Sequence, residues 1–172
     1  GGADRTESYR WEKQVLQVLQ WKMPTGRWVL KSPMHVMHLP AIFTVFPDAK
    51  IIRCHRDPLR TMASARSLVA SLQSMRSDAP NMAVVAAPAD PALYAAGTEG
   101  YVPLWRQQGI VHEGNLFDWV YLRFKADPLG VMRQVYDAFG WAFDDATAAA
   151  MAGHLEARPQ TKFGSHAYST DL

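Results

Sequence analysis

The chain has 172 residues, 48% of them hydrophobic with six Trp, and a net charge of +2, which suits one globular domain with a proper core and is too mild to argue for nucleic acid or a membrane surface as partner. Cys54 is the only cysteine, so an intrachain disulfide and a cysteine metal cluster are excluded, and a reducing, cytoplasmic setting is expected. No run of about 18 apolar residues occurs, and the Gly-Gly-Ala-Asp-Arg opening has no signal-peptide core.

Residues 7–22 have an amphipathic period that predicts a helix with Trp11, Val15, Val18 and Leu19 on its buried side. Met23-Pro24-Thr25-Gly26 ends it. Trp28-Val29-Leu30 reads as a short strand stopped at Lys31-Ser32-Pro33, because Pro33 has no N–H for a ladder; Lys31 would then sit at the strand's carboxyl end. A helix beginning at about residue 34 would carry His35 and His38 on one face.

Lys50 to His55 is rich in β-formers, and Asp57-Pro58 supplies an N-cap and a first helical residue. Arg56 falls between strand end and helix start. At about 100° per residue, Leu59, Met62, Val69 and Leu72 share a core arc of the following helix, and Arg60, Ser64, Ser67 and Ser71 the opposite one. Residues 77–100, rich in Ala and Pro, read as a long connection of the lid or binding-loop kind. Tyr101, Leu104 and Trp105 begin a short helix that ends near Gly109 or Gly114.

Phe117 to Phe124 alternates as a third strand, and Asp127-Pro128 again starts a helix, with Leu129, Met132, Val135 and Phe139 as its apolar stripe and Gly140 as its stop. Asp144 and Asp145 cap a last, Ala-rich helix to about Ala157, followed by the polar segment Pro159-Gln-Thr-Lys-Phe-Gly-Ser-His-Ala-Tyr-Ser-Thr-Asp-Leu172. Strands alternating with helices predict an α/β fold with a mainly parallel sheet, three or four strands of it in this chain. In such sheets ligands gather beyond the strands' carboxyl ends, where helix N-termini offer N–H groups. Lys31, Arg56 and Ser64 are all expected at that edge, and two cations with a hydroxyl suit a phosphate-bearing anion.

Four stretches occur in a fixed order: W-V-L-K-S-P-x-H at Trp28 to His35, F-P-D-A at Phe46 to Ala49, H-R-D-P at His55 to Pro58, and then Ser64. This arrangement resembles the PAPS-dependent sulfotransferases of the bacterial type, over most of the 172 residues. The resemblance implies a single, partial sulfotransferase domain over 1–172, with the three-layer, P-loop-NTPase-like fold. In that superfamily an arginine ending a strand and a serine eight residues later hold the nucleotide's 3′-phosphate, and Arg56 with Ser64 keeps the spacing. The family lysine at the position of Lys31 faces the departing phosphate and the moving sulfuryl group.

The resemblance also implies Tyr121 beside the adenine, although Arg123 stands where the family has an acidic residue. Lys162 and Gly164 match the K-x-G near the family's end that approaches the nucleotide phosphate. The 5′-phosphosulfate loop lies upstream of the W-V-L-K strand in the family, and this chain carries neither G-x-x-x-x-G-K-S/T nor G-x-G-x-x-G; it is expected to begin after that loop.

Sulfuryl transfer, like phosphoryl transfer, is an in-line displacement in which positioning and electrostatics carry most of the rate. The general base is open between His35, His38 and a carboxylate outside this chain, since Pro33 replaces the histidine of the cytosolic branch. The implied activity is transfer from PAPS to a hydroxyl or amine of a small-molecule, lipid or sugar acceptor, without a metal. Two other readings stand beside it: a non-catalytic remnant that binds a 3′-phosphonucleotide, and a nucleotide kinase of related fold, against which the missing G-K-S/T loop counts. An uncovered sheet edge would favour a homo-oligomer.

Overall fold

The computed structural model of the chain describes residues 4–24, 26–79 and 90–158. Over these it forms helices α1 (Thr6–Leu19), α2 (Leu39–Val45), α3 (Pro58–Ser74), α4 (Pro91–Glu99), α5 (Tyr101–Gln107), α6 (Tyr121–Ala126), α7 (Pro128–Ala138) and α8 (Asp145–Ala157), with strands β1 (Ile51–His55) and β2 (Leu116–Val120). The two strands pair in a small parallel sheet, so the chain is α/β as expected.

Capping chemistry sets several of the helix starts. Asp57, Asp127 and Asp144 each accept the backbone N–H three residues on, from Arg60 at 2.9 Å, Gly130 at 2.8 Å and Thr147 at 2.8 Å. Each bond satisfies one of the donors that a helix's first turn leaves open. At α7 the cap also needs Gly130 itself, because a Cβ there would lie 2.6 Å from the Asp127 carboxyl carbon.

Two helices stop in the same way. The Gly140 N–H bonds the Asp137 carbonyl and the Trp141 N–H the Tyr136 carbonyl, while Gly109 and Ile110 repeat the pattern on Arg106 and Trp105. Both glycines have φ near +70°, at 67° and 69°, the left-handed conformation that closes a helix at least cost when no Cβ is present.

Two compact units make up the chain, Gly1–Arg53 with Thr98–Phe117, and Cys54–Gly97 with Asp118–Leu172. In the first, Tyr9, Leu39, Ala41, Ile42, Val45, Val102, Val111 and Leu116 form the core, and α1 packs on α2. Lys50 ties the start of β1 to the turn before β2 by donating to the Gly114 carbonyl at 2.7 Å and the Asn115 side chain at 3.0 Å. In the second, Met62, Ala63, Val131, Val135 and Phe139 are buried, and α7 packs against α6 and α8.

Trp28 to Leu30 is not a strand, and Lys31 therefore ends none: no described strand pairs with this stretch, and Val29 is 88% exposed. A strand exists only through a neighbour's ladder, which local β-propensity cannot supply. The sheet accordingly has two strands among the described residues, not three or four. β2 stops at Val120, and Tyr121 to Phe124 turns into α6.

The buried side of α1 runs through Tyr9 and Leu16, while Trp11, Val18 and Leu19 face outward. On α3, Met62 is buried with Ala63, but Leu59, Val69 and Leu72 are more than a third exposed; the helix is rotated relative to its apolar arc. Of the expected 77–100 connection, residues 91–99 are helix α4, begun by Asp90, whose side chain accepts the Ala92 N–H at 2.8 Å. Residues 80–89 of that connection lie outside the described residues.

Candidate functional site

In the second unit the chemistry gathers where the strands end. β1 stops at His55, Arg56 follows at once, and α3 begins at Pro58. Ser64, seven residues into α3, is half-buried. β2 stops at Val120 and Tyr121 is the first residue of α6. The Arg56 guanidinium carbon lies 4.9 Å from the centre of the Tyr121 ring, a cation–π contact that holds the cation over the ring face. Arg56 and Tyr121, predicted separately from two motifs, are thus brought together.

A second link ties the same two segments. His55 Nε2 lies 2.8 Å from the Asp118 carboxylate, and since an ionised carboxylate only accepts, Nε2 carries the proton. Asp118 was not anticipated as a site residue. The pairing comes from the register of two strands more than 60 residues apart in sequence, which no local pattern reveals.

The N-terminus of α3 is not an open anion cradle. The Asp57 carboxylate already takes the Arg60 N–H and brings a negative charge there. An anion at this edge would therefore depend on side-chain donors more than on backbone N–H groups.

In the first unit Lys31 is exposed, and Ser32 caps the following turn by accepting the Met34 N–H at 3.2 Å. His35 to His38 form one 3₁₀ turn, in which residues three apart eclipse one another, so both histidines do share a face. His35 is half-buried, and its Nδ1 lies 2.9 Å from the Tyr9 hydroxyl. Burial lowers the His35 pKa, with Glu12 opposing and His38 adding to the shift, so the ring is held neutral. Tyr9 is a second residue that the sequence pattern did not single out; its place on the same face of α1 as Leu16 was hidden by the more hydrophobic but outward Trp11 and Val18.

Lys162 and Gly164 lie outside the described residues. Among the described residues no cluster of His, Cys, Asp and Glu is arranged to hold a metal ion. No helix among them is long and apolar enough to cross a membrane.

The α/β fold is that of solved sulfotransferases. The chain superposes on the crystal structure of sulfotransferase STF9 from Mycobacterium avium with a TM-score of 0.73 and 32% identity, over 98% of this chain and 42% of that one. With sulfotransferase STF1 from Mycobacterium tuberculosis H37Rv the TM-score is 0.71 and the identity 26%, over 97% of this chain and 41% of the other. The model of the sulfotransferase family matches residues 5–145. The chain belongs to the sulfotransferase family. It spans less than half the length of these two relatives. A comparison with curated proteins finds no match.

Proposed function

We propose that this chain is the nucleotide-holding part of a sulfotransferase domain that moves a sulfuryl group from PAPS to a hydroxyl or amine of a small-molecule, lipid or sugar acceptor. In the reaction a bond forms between the acceptor's oxygen or nitrogen and sulfur. The bond from sulfur to the 5′-phosphate oxygen breaks, and the acceptor's proton leaves to a base.

Arg56 and Ser64 bind the 3′-phosphate, Tyr121 orients Arg56 and lies beside the adenine, and Lys162 and Gly164 approach the nucleotide from the far end of the chain. Lys31 sets its charge against the departing phosphate, where negative charge develops during transfer. His35 belongs to the transfer centre, and the base is His35, His38 or a carboxylate outside this chain. No metal takes part, and the cytoplasm, where PAPS is accessible to a reduced protein, is the proposed setting.

The observation that carries this reading is the arginine at the end of β1, held against Tyr121 at 4.9 Å with Ser64 about two helix turns beyond the Asp57 cap. A guanidinium so restrained meets a phosphate with little further loss of rotamer freedom. Support also comes from membership in the sulfotransferase family. The test is turnover: a protein containing this chain and the upstream phosphosulfate loop should transfer the sulfuryl group of PAPS to a hydroxyl acceptor. Failure of such a folded protein with every acceptor class would refute the reading.

A further inference from the structure

The Tyr9 hydroxyl and His35 Nδ1, 2.9 Å apart, share one hydrogen bond whose direction decides what His35 can do. A neutral imidazole has one N–H and one lone pair. If Nδ1 carries the proton and donates to the phenol oxygen, Nε2 is left with the lone pair and can act as a base. If the phenol donates, Nδ1 uses its lone pair, and Nε2 carries the N–H.

The phenol's own proton discriminates between the two. Tyr9 is in the core, 8% exposed, and its burial, with Glu12 adding to the effect, raises its pKa, so the O–H stays on. Among the described residues His35 Nδ1 is the hydrogen-bond partner of that hydroxyl. With the proton on Nδ1, the phenol oxygen would serve as acceptor while its O–H, on a buried side chain, had no acceptor in the described structure. With the phenol donating, one bond satisfies the phenol's proton and the Nδ1 lone pair together. The remaining charged or titratable groups acting on the ring are Glu12 and His38. Neither is hydrogen-bonded to it, so neither competes for Nδ1.

We infer that Tyr9 donates its proton to His35 Nδ1 and fixes the Nε2–H tautomer, making His35 a hydrogen-bond donor at the transfer centre and not the general base. This deepens the proposed function and rests on it for the word "transfer"; the tautomer itself does not. In that role the proton stays on Nε2 throughout, and the ring stabilises negative charge on an oxygen without taking up a proton. Tyr9 is then a positioning residue that acts through His35, and proton abstraction falls to His38 or to a carboxylate outside this chain.

The experiment is ¹⁵N spectroscopy of the histidine-labelled chain, at a pH above the ordinary histidine range, with long-range couplings used to assign each ring nitrogen of His35. The expected result is a protonated Nε2 and an unprotonated, hydrogen-bonded Nδ1. In Tyr9→Phe the Nδ1 resonance should move toward that of a free lone pair, and the His35 pKa should rise, because protonating Nδ1 no longer breaks an accepted bond. A proton on Nδ1 in the unsubstituted protein would overturn the inference, as would an unaltered Nδ1 resonance in a folded Tyr9→Phe protein. The measurement needs no turnover: absent sulfuryl transfer with Nε2–H observed would refute the functional reading and uphold the tautomer.

Discussion

The contact between Arg56 and Tyr121 makes a prediction that separates a ring from a hydroxyl. On the proposed function, replacing Arg56 by Ala should remove a charge-assisted hydrogen bond to the nucleotide's 3′-phosphate, worth roughly 1.5–3 kcal/mol, or about 10- to 150-fold in affinity. Tyr121 lies 4.9 Å under the guanidinium and is half-buried, a geometry in which a cation–π contact contributes about 0.5–1 kcal/mol. Tyr121→Leu should therefore weaken binding of 3′-phosphoadenosine 5′-phosphate about 2- to 5-fold by freeing Arg56. Tyr121→Phe keeps the ring and should change affinity less than about 2-fold.

Calorimetric titration of the two single variants and the double variant Arg56→Ala, Tyr121→Leu completes the cycle. A coupling of about 0.5–1 kcal/mol is expected, since Tyr121→Leu can free Arg56 only while Arg56 is present. Full additivity would refute the orienting role. A Tyr121→Phe variant as weak as Tyr121→Leu would show that the hydroxyl, not the ring, is what matters.

Three further outcomes follow from the same structure. Asp57→Ala should destabilise the protein by about 1 kcal/mol in chemical denaturation through loss of the α3 cap, whereas Asp57→Asn, an equally good cap, should stay within a few tenths; equal losses in both would remove the cap from the account. In a protein with measurable turnover, Lys31→Ala should lower kcat on the order of 100-fold while leaving the Kd for 3′-phosphoadenosine 5′-phosphate nearly unchanged, and a loss confined to Kd would make Lys31 a binding residue instead. Because burial lowers the His35 pKa in the fold, the unfolded chain binds its proton more readily. Stability should then fall as pH drops through the unfolded value of about 6.5 until the lower folded value is reached. Denaturation midpoints of His35→Gln should lack that part of the slope, and an identical pH profile in the variant would contradict the burial argument.

The sequence made legible what depends on neighbours a few residues apart. Asp57-Pro58, Asp127-Pro128 and Asp144 announced three helix starts, and Gly140 one stop, because a cap is a local hydrogen bond and a left-handed glycine a local conformation. Asp90-Pro91 carried the same signal for α4 and was outweighed by the Ala- and Pro-rich composition around it. What was not legible is what depends on distant partners. Trp28 to Leu30 has strand-like residues and no ladder, and Tyr121 alternates with β2 yet begins a helix. Likewise α1 and α3 bury faces chosen by their neighbours: Tyr9 is inside, bonded to His35, while the larger apolar residue Trp11 lies outside.

The candidate site divides along the same line. Arg56 and Ser64 could be placed from a strand end, a cap and a spacing of eight. The cation–π contact of Arg56 with Tyr121, the His55 to Asp118 bond and the Tyr9 to His35 bond join residues 26 to 65 positions apart, and only the folded register brings them together.

The central claim is that this chain holds a nucleotide by its 3′-phosphate. Calorimetric titration of the folded chain with 3′-phosphoadenosine 5′-phosphate, against AMP as the ligand lacking that group, tests it most directly. Binding that requires the 3′-phosphate, and that falls about 10-fold or more in Arg56→Ala, is the predicted result. Equal affinity for the two nucleotides, or no binding by a demonstrably folded chain, would contradict it.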